Sequence, residues 1–286
     1  MAKFNRVLVG HDGGEHAEDA LALGQLVANR CDAELVLASV VPTPIGGSMV
    51  PALPTDAYSE LTGKARMALE EVADRVGATF EIEQASSPSH GLQSVGERIE
   101  ADLVVVGSSP RAATGKTRAG RKGRQLMSGG SVAVAITPDG FRNRAALDRI
   151  GVGVDGSPES RIATETAIDL CPDGSTLELL AVAADFADEW GRWGTTYPMA
   201  EMAEATRDSA TYLLAEMAEI VPDRIEKKTT MLEGTAPIQL AEASAGLDLL
   251  CLGSRGYGPV RRVLLGSVSS DVVNHASSAV LVVPRD

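Results

Sequence analysis

The separation from Gly107 to Pro138 equals that from Gly253 to Pro284, and the residues at both ends of the two stretches correspond. GSS from Gly107 stands opposite GSR from Gly253, and AVAITP ending at Pro138 stands opposite AVLVVP ending at Pro284. Repetition over this length marks a duplicated domain rather than a solenoid unit. Whatever one half folds into, the other must therefore be able to fold into as well. A chain of 286 residues accommodates two domains of ordinary size. The sequence predicts them at residues 1–143 and 144–286, with Asp139–Asp148 as the linker.

Each half alternates short apolar runs with segments of helical period. In the first half Val7–Gly10, Leu35–Val41, Phe80–Glu83 and Leu103–Val106 read as strands. Ala17, Leu21 and Gly24 mark one helical face, and Ala57–Val76 and Leu92–Ile99 read as further helices. The second half repeats the order. Ile150–Val154, Leu177–Ala184 and Leu249–Leu252 are its strands; Ala163, Ala167 and Leu170 stripe one helix, and Leu213, Met217 and Ile220 another. Ser157 followed by Pro158 is a helix start. Asp102 and Asp248 precede corresponding strands. Continuous apolar strands separated by helices specify two tandem, doubly wound, open parallel α/β sheets of Rossmann-like kind.

Apolar residues make up 44% of the chain but aromatics only 3%, so the core must be built from Ala, Val, Leu and Ile. A net charge of −13 disfavours nucleic acid and anionic membrane surfaces as partners. The opening MAKFNRVLVG enters a strand at once, which leaves no room for a signal peptide, and no apolar run approaches a membrane span. Cys31, Cys171 and Cys251 are odd in number and widely spaced, and read as reduced thiols of a cytoplasmic protein.

The stretch with the most chemistry is GSRGYGPVRRVLLGSVSS, Gly253 to Ser270. A strand leads into it and a helix-like segment, Val268–His275, leads out. A strand, a glycine-rich loop and a helix start together present backbone N–H groups to an anion. Gly253 and Gly256 permit close backbone approach to a ligand. Gly266 precedes Ser267, which can cap the helix or donate its hydroxyl to a phosphate oxygen. The spacing G-x2-G-x9-G-S is neither a Walker loop nor a Rossmann fingerprint. It resembles the ATP-binding motif of the universal stress protein family, and the resemblance extends over nearly the whole chain. It implies ATP, alone or with Mg2+, as the ligand of the second half. Asp155 would hold the adenosine end, and Val182 would offer backbone to the base. Gly253 would lie near the ribose and Gly256 near the phosphates; Gly266, Ser267, Val268 and Ser269 would cradle the phosphate tail. For Asp155 an Asx-turn with Gly156 and Ser157 is an equally valid reading, and both can hold together. Several amides, two hydroxyls and an adenine slot total about −8 kcal/mol, or micromolar affinity. Arg255, Arg261 and Arg262 either add to this or are simply exposed. The resemblance also implies that Val132–Thr137 and Val280–Val283 pair edge to edge, which hides two sheet edges.

The first half departs from this pattern. Gly256 becomes Pro110, Ser267 becomes Arg121 and Ser269 becomes Gly123, while Asp12, Gly107 and Gly120 remain. Between Arg111 and Arg124 lie Lys116, Arg118, Arg121 and Lys122, and no acid. That loop reads as a second polyphosphate site built from cations, as a docking loop for an acidic partner, or as a solvated basic loop. Two other motifs are decoys. Pro110–Thr117 lacks the first glycine and the helix of a P-loop, and in G-x-G-x-x-G from Gly151 to Gly156 the first two glycines lie within a strand. His11, His16, His90 and His275 show no metal-ligand spacing, and no serine nucleophile has a recognisable base. Trp190, Trp193 and Tyr197 read as anchors for their loop, or as a cover for adenine or a partner. The expectation is a stress-response regulator that binds an adenine nucleotide, with at most slow ATP hydrolysis and no catalytic or metal-ligating residues. A homodimer is compatible with it. The alternatives are an interaction module without nucleotide, whose loops are docking surfaces, and an enzyme using a dinucleotide at Gly151–Gly156.

Overall fold

The computed structural model describes residues 4–43, 55–110, 112, 114–119, 123, 125–126, 132–184, 199–254 and 266–284. The first half runs β1 (Arg6–Gly10), α1 (Glu15–Cys31), β2 (Glu34–Pro42), α2 (Thr55–Val76), β3 (Thr79–Ala85), α3 (Pro88–Arg98), β4 (Leu103–Gly107) and β5 (Ala133–Thr137). The second half runs β6 (Arg149–Gly153), α4 (Pro158–Leu170), β7 (Thr176–Ala183), α5 (Met199–Glu219), β8 (Glu226–Glu233), α6 (Ala236–Ala243), β9 (Leu249–Gly253), α7 (Ser267–Val272) and β10 (Ala279–Val283).

The ten strands of the described residues form one sheet in the order β3-β2-β1-β4-β5-β10-β9-β6-β7-β8. Within each half every pairing is parallel. The halves meet at one antiparallel pair, β5 with β10, in the register Val280 to Ile136 and Val282 to Val134. The expected edge-to-edge pairing is therefore present, and every residue of these two strands is buried. Helices cover both faces, which is why the central strands read as unbroken apolar runs. One core cluster runs across both halves beneath α1, α2, α4 and α5. The opposite face carries separate clusters under α3 and under α6 and α7.

Local signals explain most boundaries. Ser157 caps α4 by accepting a hydrogen bond from the Ser160 N–H at 3.1 Å, with Pro158 as the first helical residue. The same device starts α3, where Ser87 accepts from the His90 N–H ahead of Leu92. The helix thus begins at Pro88, four residues before the expected Leu92. Asp102 and Asp248 do equivalent work. Asp102 Oδ2 accepts from the Asn5 and Arg6 N–H groups, and Asp248 Oδ2 from those of Asp148 and Arg149. Each carboxylate satisfies donors at the entry to its half's first strand. The expected linker, Asp139–Asp148, is packed down: Phe141 and Leu147 are buried, Arg142 reaches Asp19, and Arg144 pairs with Asp248. β8 carries no apolar run because it is an edge strand, its residues mostly exposed and half of them charged, as edges that resist further pairing usually are.

Candidate functional site

In open parallel sheets ligands collect beyond the carboxyl ends of the strands. Here a cavity of about 500 Å³ opens at that end of β6, β7 and β9. Its floor is apolar, made by Val154, Leu180, Leu240 and Leu252, each nearly fully buried. One wall is α5, which turns Thr206, Ser209, Ala210 and Leu213 toward the space. Those positions follow i, i+3, i+4, i+7 and so share one helix face. The other walls are the first turn of α4, with Ser157, Glu159 and Ser160, and the start of α7, with Gly266, Val268 and Ser269. Volume, apolar floor and convergent hydroxyls are those of a small-molecule site.

Six of the eight residues expected at the nucleotide line this cavity: Asp155, Val182, Gly253, Gly266, Val268 and Ser269. They come from four separate stretches of chain. Ser267 lies on the helix beside them but is exposed and does not line the space. Gly256 lies outside the described residues, as do Arg255, Arg261, Arg262, Trp190, Trp193 and Tyr197. Asp155 closes an Asx-turn, its Oδ1 accepting from the N–H and hydroxyl of Ser157. Gly156 adopts φ +78°, which the turn requires of a glycine. Gly151 and Gly153 lie inside β6 and do not form a dinucleotide turn.

One expectation needs correction and another an addition. Ser267 is the first residue of α7 rather than its cap; Gly266 holds the cap position, with no side-chain hydrogen bond. The bare Cα of Gly253 is used by the protein itself. A Cβ there would stand 2.6 Å from the carbonyl carbon of Glu159 and 2.8 Å from its oxygen. Gly107 repeats this against the His16 carbonyl, at 2.0 Å from the oxygen. The motif's first glycine therefore lets the helix after the first strand pack onto the strand end, in both halves alike.

Among the described lining residues the ionisable groups are Asp155 and Glu159, both acidic. Ser269 donates its hydroxyl to the Gly253 carbonyl at 3.2 Å, tying α7 to the end of β9.

The corresponding place in the first half is built differently. His11 occupies the position of Val154 and is 5% exposed. Its Nδ1 accepts weakly from the Gly13 N–H at 3.3 Å, and its Nε2 lies 3.5 Å from Glu18, which Arg75 holds. Burial lowers the His11 pKa, against the opposing pull of Glu18. The loop after β4 folds back on itself: the Ser109 N–H donates to the Arg118 carbonyl, and the Arg118 N–H to the Ser108 hydroxyl. Of its basic residues, Arg111, Arg121, Lys122 and Arg124 lie outside the described residues.

The structure also gathers a set that spacing did not reveal. His16, Asp19 and Asp139 bring one ligand atom each within 4.8 Å of one another. Asp19 is fully buried and already accepts from the N–H groups of Gly140 and Arg142 and from the Arg142 guanidinium. With its lone pairs so occupied, it is the arginine's partner rather than a vacant ligand. All three cysteines are buried, and burial raises the pKa of Cys31 and Cys171. No described helix is long and apolar enough to cross a membrane.

The model of the universal stress protein family matches residues 3–138 and again 146–284. A universal stress protein of Mycobacterium tuberculosis is 26% identical, over 97% of this chain and 99% of its own. One of Mycolicibacterium smegmatis is 29% identical, over 98% and 97%. Among solved structures, a universal stress protein from Archaeoglobus fulgidus superposes with a TM-score of 0.70 at 22% identity, covering 99% of both chains. Another, from Pseudomonas aeruginosa, gives 0.61 at 17% identity, covering 98% of this chain and 94% of its own.

Proposed function

The chain belongs to the universal stress protein family, and from that premise we propose that it is a stress-response regulator that binds an adenine nucleotide, ATP foremost, in the cavity of its second half. The observation that carries this reading is the convergence of Asp155, Val182, Gly253, Gly266, Val268 and Ser269 on one cavity of about 500 Å³. That volume suits a nucleoside and its phosphates. The base would lie on the apolar floor between β7 and α5, the ribose at Asp155, and the phosphates toward Gly266 and Ser269. Because Asp155 and Glu159 are acidic, a polyphosphate needs its charge offset on entry, which favours ATP as its Mg2+ complex. The protein acts by occupancy, in the cytoplasm, and turns ATP over slowly if at all. No described lining residue is a lysine, arginine or histidine placed to stabilise a departing phosphate.

The test is to release and quantify nucleotide from freshly purified protein, then titrate stripped protein with ATP and Mg2+. One ATP per chain, at micromolar affinity and abolished by Gly266→Val, is expected. Two per chain would show that the basic loop makes a second site. No binding up to millimolar ATP would sink the nucleotide reading and leave an interaction module.

A further inference from the structure

The first half lacks the motif, yet its loop grips the turn that follows α7, the helix whose start walls the second half's cavity. Thr117 is 1% exposed and donates twice to one acceptor, the Ala276 carbonyl, from its N–H at 2.8 Å and its hydroxyl at 3.1 Å. Beside it, Lys116 Nζ donates to the Ser277 hydroxyl at 2.7 Å. Two residues on, Ala119 is buried in the cluster that holds Val272, Val273 and Ala276. Ala276 closes the turn after α7, its N–H donating to the Val272 carbonyl. On the other side, the Ser277 N–H donates to the buried Ser244 hydroxyl, at the end of α6.

We propose that Thr117 is a positioning residue for the cavity of the second half: through Ala276 it fixes α7, and with it Val268 and Ser269. The chain of contacts is short and continuous. Ser108, at the end of β4, is anchored by donating to the Thr137 carbonyl at 2.7 Å, and it accepts the Arg118 N–H at 3.0 Å. Arg118 follows Thr117 directly, so the loop is fixed to the first half's sheet at the point where it grips the second half. α7 has only six residues, too few to hold its pitch without packing. Its start is tied to β9 by Ser269, and the turn that follows it is held by Thr117. In this way the degenerate half completes the nucleotide-binding half.

The inference rests in part on the nucleotide reading, and its test separates the two. Thr117→Val removes the hydroxyl donor at nearly constant volume; Thr117→Ser keeps it. Amide hydrogen exchange of residues 267–276 is measured in the nucleotide-free full chain, alongside the ATP affinity of each variant. Thr117→Val should speed exchange in 267–276 but not in β6, and weaken ATP about three- to tenfold, with Thr117→Ser within about twofold of the original. A role confined to stability would lower the melting temperature and leave affinity untouched. Unchanged exchange overturns the proposal, as does faster exchange with unchanged affinity. If the original chain binds no ATP, the nucleotide reading fails, and the exchange data alone decide whether Thr117 holds α7.

Discussion

Replacing Gly253 by alanine is the obvious way to test a nucleotide motif, and the geometry says that it tests something else. A Cβ built there meets the Glu159 carbonyl carbon at 2.6 Å, its Cβ at 2.7 Å and its oxygen at 2.8 Å. Two of these are main-chain atoms of the first turn of α4, which no rotamer change can move. The strand and helix must separate, an overpacking cost of about 1–3 kcal/mol, or about 2–6 °C in melting temperature at this size. Gly107→Ala is the control. It meets the His16 carbonyl oxygen at 2.0 Å, in the half without the intact motif, and should destabilise at least as much. Thermal unfolding of both variants without nucleotide is the assay. If Gly253→Ala melts like the unaltered chain and loses only ATP, the glycine serves the ligand and the packing explanation is wrong.

Three further outcomes follow from buried groups. Burial lowers the His11 pKa, so below its ordinary value of about 6.5 the unfolded chain binds a proton more readily than the folded chain; stability should fall as pH drops through that value and level off below the folded pKa. His11→Val, which installs the residue of the other half, should flatten that limb of the melting temperature against pH and raise stability at pH 5.5 by about 1–2 kcal/mol, since a buried imidazole with only long polar contacts is removed. Glu178 is opposed by desolvation, but hydrogen bonds from Lys228 and Thr230, with the Lys228 and Arg149 charges, lower its pKa overall. Its contribution is therefore present above the ordinary carboxylate pKa and lost as pH falls through the folded value; Glu178→Gln should remove that acid limb. Ala210→Phe, on the cavity face of α5, should fill the space between α5 and β7 and abolish ATP binding with little change in unfolding by denaturant.

The architecture was legible because duplication and apolar strand runs are long-range and local signals that agree. Strand-ending residues such as Asp155 and Gly253 could be placed at the cavity mouth from the sequence, since parallel sheets put their loops there. What could not be read was what each residue touches. Gly253 looked like a ligand glycine, and its contact with Glu159 is set by how α4 crosses β9, which no local pattern encodes. Ser267 matched a cap by residue type, but the backbone places the cap one residue earlier. β8 and α6 escaped because one is a polar edge strand and the other only eight residues long. The start of α3 is expected at Leu92, although Ser87–Pro88 repeats the Ser157–Pro158 signal and marks the true start. The grouping of His16 and Asp19 with Asp139 depends on the chain returning from β5 to α1, a tertiary fact.

Because each half is a control for the other, differences between them carry more meaning than either alone. The contact between the first and second helices of a half is kept with its charges exchanged: Glu18 of α1 pairs with Arg75 of α2, and Arg161 of α4 approaches Glu216 of α5. Such an exchange keeps an opposite-charge pair at the same place in each half, as expected where only the scaffold matters. At the strand ends the differences are of another kind. Val154 gives way to a buried histidine and Ser269 to Gly123; the first half's loop closes on itself through Ser109 and Arg118, then grips the turn after α7. Each of these changes alters the ligand end and leaves the sheet register intact. The first half has thus kept the fold while its loop took up the support of its neighbour's cavity, and the antiparallel β5–β10 pair holds the two close enough for that support to act.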